Sequence, residues 1–132
     1  MKKADSFTFK GNPMPKPRMT RADTWKKRPI VLDYWAFKDE ITSQANKNGF
    51  SLGEAYRAEF YIKMPKSWSN KKKDKMKGTP HRQRPDIDNL IKAIQDTLLK
   101  EDSAVWYVVS TKKWAYDGCV KIENFPVEDL HF

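Results

Sequence analysis

Between residues 84 and 102 the chain reads RPDIDNLIKAIQDTLLKED, which gathers five acids, Asp86, Asp88, Asp96, Glu101 and Asp102, around one lysine, Lys92. Acids set this close repel one another unless positive charge stands between them. Carboxylate oxygens, together with water and phosphate oxygens, are the ligands that Mg²⁺ prefers. A nearby lysine adds a point charge that can stabilise an anionic transition state. The same residues also suit ordinary helix chemistry. Aspartates favour a helix's first turn, where free N–H groups and the dipole attract them. Asp88, Lys92 and Asp96, each four apart, also read as a ladder of i,i+4 ion pairs.

Spacing sets how these groups are presented. Pro85 disfavours helical geometry at Arg84 and leaves Asp86 as an N-cap. Ile87, Leu90, Ile91, Ile94 and Leu98 then recur at helical intervals and predict a buried stripe. At about 100° per residue, Asp88, Lys92 and Asp96 share one polar face about 80° wide, with Asp86 projecting from the first turn beside Asp88.

The surroundings sharpen the choice between these readings. The chain has 132 residues and a formal net charge of +9. Residues 1–84 carry a net +13, residues 85–102 a net −3 and residues 103–132 a net −1. Such a basic surface suits a polyanion, most commonly nucleic acid. A solvated, lysine-rich surface is the plainer alternative. Carboxylates beside a phosphate-binding surface would repel the ligand unless a divalent cation sat between them, so the combination favours metal chemistry over helix capping alone.

The elements that must position this segment are legible in outline. SFTFK (residues 6–10) alternates as a first strand, and residues 11–30, rich in proline, lysine and arginine, read as a stiff basic loop. Ile30, Tyr34, Phe37, Ile41 and Ala45 predict a helix that stops at Gly49. Ala58, Phe60, Ile62 and Met64 alternate as a strand ended by Pro65. Residues 66–84 hold eight basic residues and one acid, Asp74, and read as a loop, with Trp68 and His81 as aromatic interruptions. After the acidic helix, residues 105–114 and 118–122 read as two strands of a hairpin turning at Asp117-Gly118. The expected fold is a single α/β domain over residues 1–132, in which two helices cover a small mixed sheet in the order β-α-β-α-β-β.

A hydrophobic share of 39% with 13% aromatic residues suits a folded globule. The single cysteine, Cys119, has no intrachain disulfide partner and is expected as a buried small hydrophobe. No apolar run approaches membrane-spanning length and no leader-like segment opens the chain, so the expected compartment is the cytoplasm, with no membrane partner.

PDIDNLIKAIQDTL followed closely by EDSAV resembles the signature of RusA-type Holliday-junction resolvases, small phage- and prophage-borne endodeoxyribonucleases. A KPR-containing loop after the first strand, MPKSW after the second and a histidine-bearing basic stretch before PDIDN extend the likeness over nearly the whole chain. The resemblance implies Mg²⁺-dependent hydrolysis (Mn²⁺ as an alternative metal) of four-way DNA junctions by a homodimer. It places the metal-binding aspartates on Asp86, Asp88 and Asp102 and the catalytic lysine on Lys92, and makes Asp96 more structural. The link at residues 98–100 is shorter than in many relatives and the first acid of the late pair is Glu101, so either Glu101 or Asp102 could face the metal; the match favours Asp102. Lys16, Arg18, Lys71, Lys72, Lys73, His81 and Arg82 are the expected DNA-binding residues. Trp68 and His81 could stack at an opened junction or simply pack on the loop.

Two other functions fit some of the same residues. A PD-(D/E)-x-K nuclease shares the PD, but it carries its E-x-K on a later strand, whereas Lys92 lies on the helix that Asp86 begins. A non-catalytic nucleic-acid-binding module would use these acids only to cap and brace a helix.

Overall fold

The computed structural model describes residues 4–18, 29–126 and 128; Arg21, Lys26, Lys27 and Arg28 of the proline-rich loop lie outside the described residues. Alternation in strand β1 (Ser6–Lys10) buries Phe7 and Phe9 and exposes Ser6, Thr8 and Lys10. Helix α1 (Pro29–Lys47) has its proline in the first turn, where a missing N–H loses no helical bond. It buries Val31, Tyr34, Phe37, Ile41 and Ala45. The helix gives way to Gly49, whose φ of 64° lies in the left-handed region that glycine enters without steric cost.

Strands β2 (Ala55–Lys63), β3 (Tyr107–Ala115) and β4 (Cys119–Asn124) complete one four-stranded sheet of order β1-β4-β2-β3. β3 runs parallel to β2, and β4 runs antiparallel to both β1 and β2. The mixed sheet expected from the sequence is present, but the expected β3–β4 hairpin is not. β4 crosses the end of β2 and inserts on its far side, pairing Val120 with Phe60 and Ile122 with Ala58. That central place leaves Val120 and Ile122 fully buried, which an edge position beside β3 would not. Gly118 permits the crossing: a Cβ there would stand 2.5 Å from the Asn12 Cα.

Helix α1 packs on β1, and a later helix, α3 (Ile87–Leu98), packs on β3 and on α1. Both cover the same face, where Phe7, Phe9, Phe37, Ile41, Phe60, Leu90, Ile94 and Ile122 form the core. Cys119 is half-buried rather than buried; it pairs with Tyr61 in the ladder, and burial raises its thiol pKa. Among the described residues no helix is long and apolar enough to cross a membrane.

Residues 66–84 are not wholly loop. They contain a seven-residue helix, α2 (Asn70–Met76), capped by Ser69, whose hydroxyl accepts from the Lys72 amide at 3.1 Å. This helix buries no residue, so it leaves no periodic trace in the sequence. Instead its ends are tied down. Trp68 packs on Trp114 at 4.8 Å between ring centroids, and Asp74, the one acid of the run, accepts a hydrogen bond from Tyr116.

Candidate active site

Helix α3 starts where Pro85 predicts. Asp86 holds the N-cap with extended dihedrals (φ −67°, ψ 146°), but its carboxylate makes no capping hydrogen bond. The Asp88–Lys92–Asp96 ladder does not form either. Among the described residues, no hydrogen bond or ion pair engages the side chains of Asp86, Asp88, Lys92 or Asp102. Neither a capping hydrogen bond nor an i,i+4 ion pair engages these groups, although Asp88 keeps its place in the first turn, where the helix dipole favours a carboxylate.

Asp86 and Asp88 share an open groove with Arg82, Arg84 and Lys112, and His81 also lines it. His81 is only 5% exposed, with its ring against Trp114 at 4.3 Å and its Nδ1 without a hydrogen-bond partner. Burial, and secondarily the charge of Lys112, push the His81 pKa down. The packed imidazole is thereby biased toward its neutral form. Trp68 and His81 thus both pack on Trp114.

Lys112 holds this wall together. Its ammonium donates to the carbonyls of Gln83 at 2.6 Å and Pro85 at 2.7 Å, and its own carbonyl accepts from the His81 amide at 2.9 Å. It stands outside every motif that marks the site in the sequence. A signal was available: in VWYVVSTKKW the alternation that turns Val108 and Trp114 toward the helices turns Lys112 with them and Lys113 away.

Asp96 has the opposite character. Lys38 and Tyr34 donate to one of its oxygens at 3.0 and 2.9 Å, and Lys16 reaches the other at 3.2 Å. Burial alone would raise its pKa, but the bonds from Lys38, Tyr34 and Lys16 outweigh that and hold the carboxyl below its ordinary value. Burial and then the bond to Asp96 raise the Tyr34 pKa in turn. Asp96 therefore ties the proline-rich loop and α1 to α3. Lys16, expected at a DNA phosphate, is engaged in this tie.

Asp102 opens a 3₁₀ turn (Asp102–Ala104) beyond the C-terminal end of α3 and is exposed. Glu101 caps that turn: its carboxylate accepts from the Ser103 amide at 3.3 Å, and hydrogen bonds with Ser103 lower its pKa. Asp102 does not line the groove that holds Asp86 and Asp88. Among the described residues no three acidic, histidine or cysteine side chains are gathered to hold a metal ion. One chain thus presents two of the expected ligands at one end of α3 and the third beyond the other, about 18 Å along a helix of this length.

Of the other expected DNA-binding residues, Lys71 and Lys72 are exposed on α2 and Lys73 is half-buried there. The Lys72 ammonium lies 4.2 Å from the Trp68 ring centroid. Arg18 is exposed on the proline-rich loop and Arg82 is exposed beside the groove.

Comparison with curated proteins gives no match. The family model described as endodeoxyribonuclease RusA, by contrast, matches residues 10–123, a span that runs from the end of β1 to within β4 and includes the groove, α3 and the late acids. The chain belongs to the RusA family, endodeoxyribonucleases that act on Holliday junctions.

Proposed function

We propose that this endodeoxyribonuclease depends on Mg²⁺, with Mn²⁺ able to replace it, and resolves four-way junctions by paired symmetric nicks in recombination and repair. The observation that carries the metal reading is the state of Asp86 and Asp88, whose carboxylates have no partner among the described residues and share an open groove with Arg82, Arg84 and Lys112. Such hard oxygen donors are ligands that a divalent ion would take together with water and phosphate oxygens. When bound, such an ion lowers the pKa of a coordinated water and polarises the phosphate. Asp86, Asp88 and Asp102 would hold it. The capping bond that Glu101 accepts from the Ser103 amide supports Asp102 as the late ligand, because it leaves Asp102 the acid of the pair without a partner among the described residues.

Lys92, one turn along α3 from Asp88, would supply charge to the phosphate as negative charge builds in the transition state. Arg82, with Lys71, Lys72 and Lys73 on α2 and Arg18 on the loop, would bind backbone phosphates and fix the orientation of the junction without reading its sequence. Lys16 would act through its tie to Asp96 and His81 as part of the groove wall.

The separation of Asp102 from Asp86 and Asp88 supports a homodimer in which each ligand set draws on both chains. A two-fold pair also presents two equivalent sites to two strands of like polarity, as a symmetric junction requires. The deciding experiment offers a synthetic four-way junction with and without Mg²⁺. Paired nicks only with the metal are expected. Tight binding with no cleavage in Mg²⁺ or Mn²⁺ would instead indicate a non-catalytic module, and equal cutting of linear duplex a nuclease of the other class.

A further inference from the structure

The helix-covered face of this sheet is apolar almost throughout, yet it carries Lys112. In the β2–β3 register Lys112 stands beside Phe60, two residues before the buried Trp114. A charge taken onto such a face is tolerated only where hydrogen bonds replace its water. The Gln83 and Pro85 carbonyls do so, at 2.6 and 2.7 Å. Both belong to the short segment that delivers the chain into α3. The same segment is pinned at its start by the bond from the His81 amide to the Lys112 carbonyl. One residue after Pro85 comes Asp86, whose carboxylate the helix does not use.

We infer that Lys112 is a positioning residue for the metal ligands: by clamping the Gln83 and Pro85 carbonyls it sets the direction in which Asp86 and Asp88 enter the groove. This rests on the metal reading above. An ammonium has three donors, and two are committed here, so Lys112 is held at this turn rather than extended to a phosphate as an exposed lysine would be. Free carbonyls would leave the turn before α3 to choose among several arrangements, and the carboxylates would lose their preset aim.

The test is Lys112→Met, which keeps the packed stem and removes the donors, measured first as Mn²⁺ binding to the intact protein by paramagnetic resonance without DNA. Loss of a group that orients metal ligands is expected to weaken Mn²⁺ affinity about tenfold or more. The metal concentration giving half-maximal junction cleavage should rise in step, with cleavage recovered at high metal and junction affinity in EDTA little changed. Gln83→Gly loosens the same turn without touching the ammonium and should shift metal binding in the same direction. That variant decides the matter if Lys112→Met does not fold. Unchanged Mn²⁺ affinity in the folded variants, or cleavage lost at every metal concentration with affinity intact, overturns the inference. Asp88→Asn separates the two levels. If it binds Mn²⁺ as the parent does, the metal reading itself fails; if it alone loses Mn²⁺, only the role of Lys112 falls.

Discussion

The hydroxyl of Tyr34 donates to the carboxylate of Asp96 at 2.9 Å, joining α1 to α3 across 62 residues of sequence. Because Lys38 and Lys16 close on the same carboxylate, the bond is one arm of a three-way tie. Asp96→Asn should therefore destabilise the fold, by about 1–2 kcal/mol for a partly exposed charged hydrogen-bond acceptor. Cleavage by the folded fraction should persist. The pH dependence has a definite sign. A depressed carboxyl pKa contributes stability that is full above the unfolded value, 3.8, and is lost as pH falls through the lower folded value. Parent and variant melting curves should accordingly converge in acid. Full stability with abolished cleavage would mean that Asp96 belongs to the chemistry.

Asp86→Asn and Asp88→Asn should each abolish cleavage while leaving junction binding intact or stronger, since repulsion of phosphate falls. Neither carboxylate makes a hydrogen bond or ion pair among the described residues, so melting temperatures should hardly move. A capping role for Asp86 would instead show as a loss of about 1 kcal/mol in stability with activity preserved.

Mixing two inactive variants tests whether each site draws on both chains. In a heterodimer of Asp88→Asn with Asp102→Asn, one composite site carries both defects and the other carries none. Nicking should return at one strand of the junction, unpaired. If all three aspartates served one site within a single chain, the mixture would stay inactive after subunit exchange.

Lys92→Ala should lower the rate at saturating junction far more than it lowers affinity, as expected for a charge acting chiefly on the transition state. A variant that binds weakly but cuts normally once saturated would make Lys92 a phosphate clamp.

Neutralising Lys71, Lys72 and Lys73 together should flatten the fall of junction affinity with salt, by about one unit of log–log slope for each phosphate that is no longer neutralised. A companion Trp68→Ala change would strip α2 of its packing on Trp114 and should give a similar flattening by disordering the helix. An unchanged slope in the triple variant would place α2 outside the interface.

The sequence by itself determined the local elements and the identity of the acidic groups. Residues such as Phe7 and Phe9, or Leu90 and Ile94, repeat at the period of their own strand or helix, and burial of a periodic stripe is a short-range consequence of backbone geometry. The N-cap place of Asp86 followed in the same way from the proline before it. Helix α2 escaped that logic because it buries no residue fully and is held by Trp68 and Asp74 reaching Trp114 and Tyr116, more than 40 positions away. Tertiary structure alone decided that β4 lies between β1 and β2, since an Asp-Gly turn is compatible with either neighbour and only the shared core favours the central place. It decided that Asp96 pairs with Lys16, Lys38 and Tyr34 rather than with Lys92, and that Lys112 spends its charge on the carbonyls ahead of α3. These are contacts between groups brought together by packing, and their partners are separated by 27 to 80 residues. No local spacing rule reaches that far.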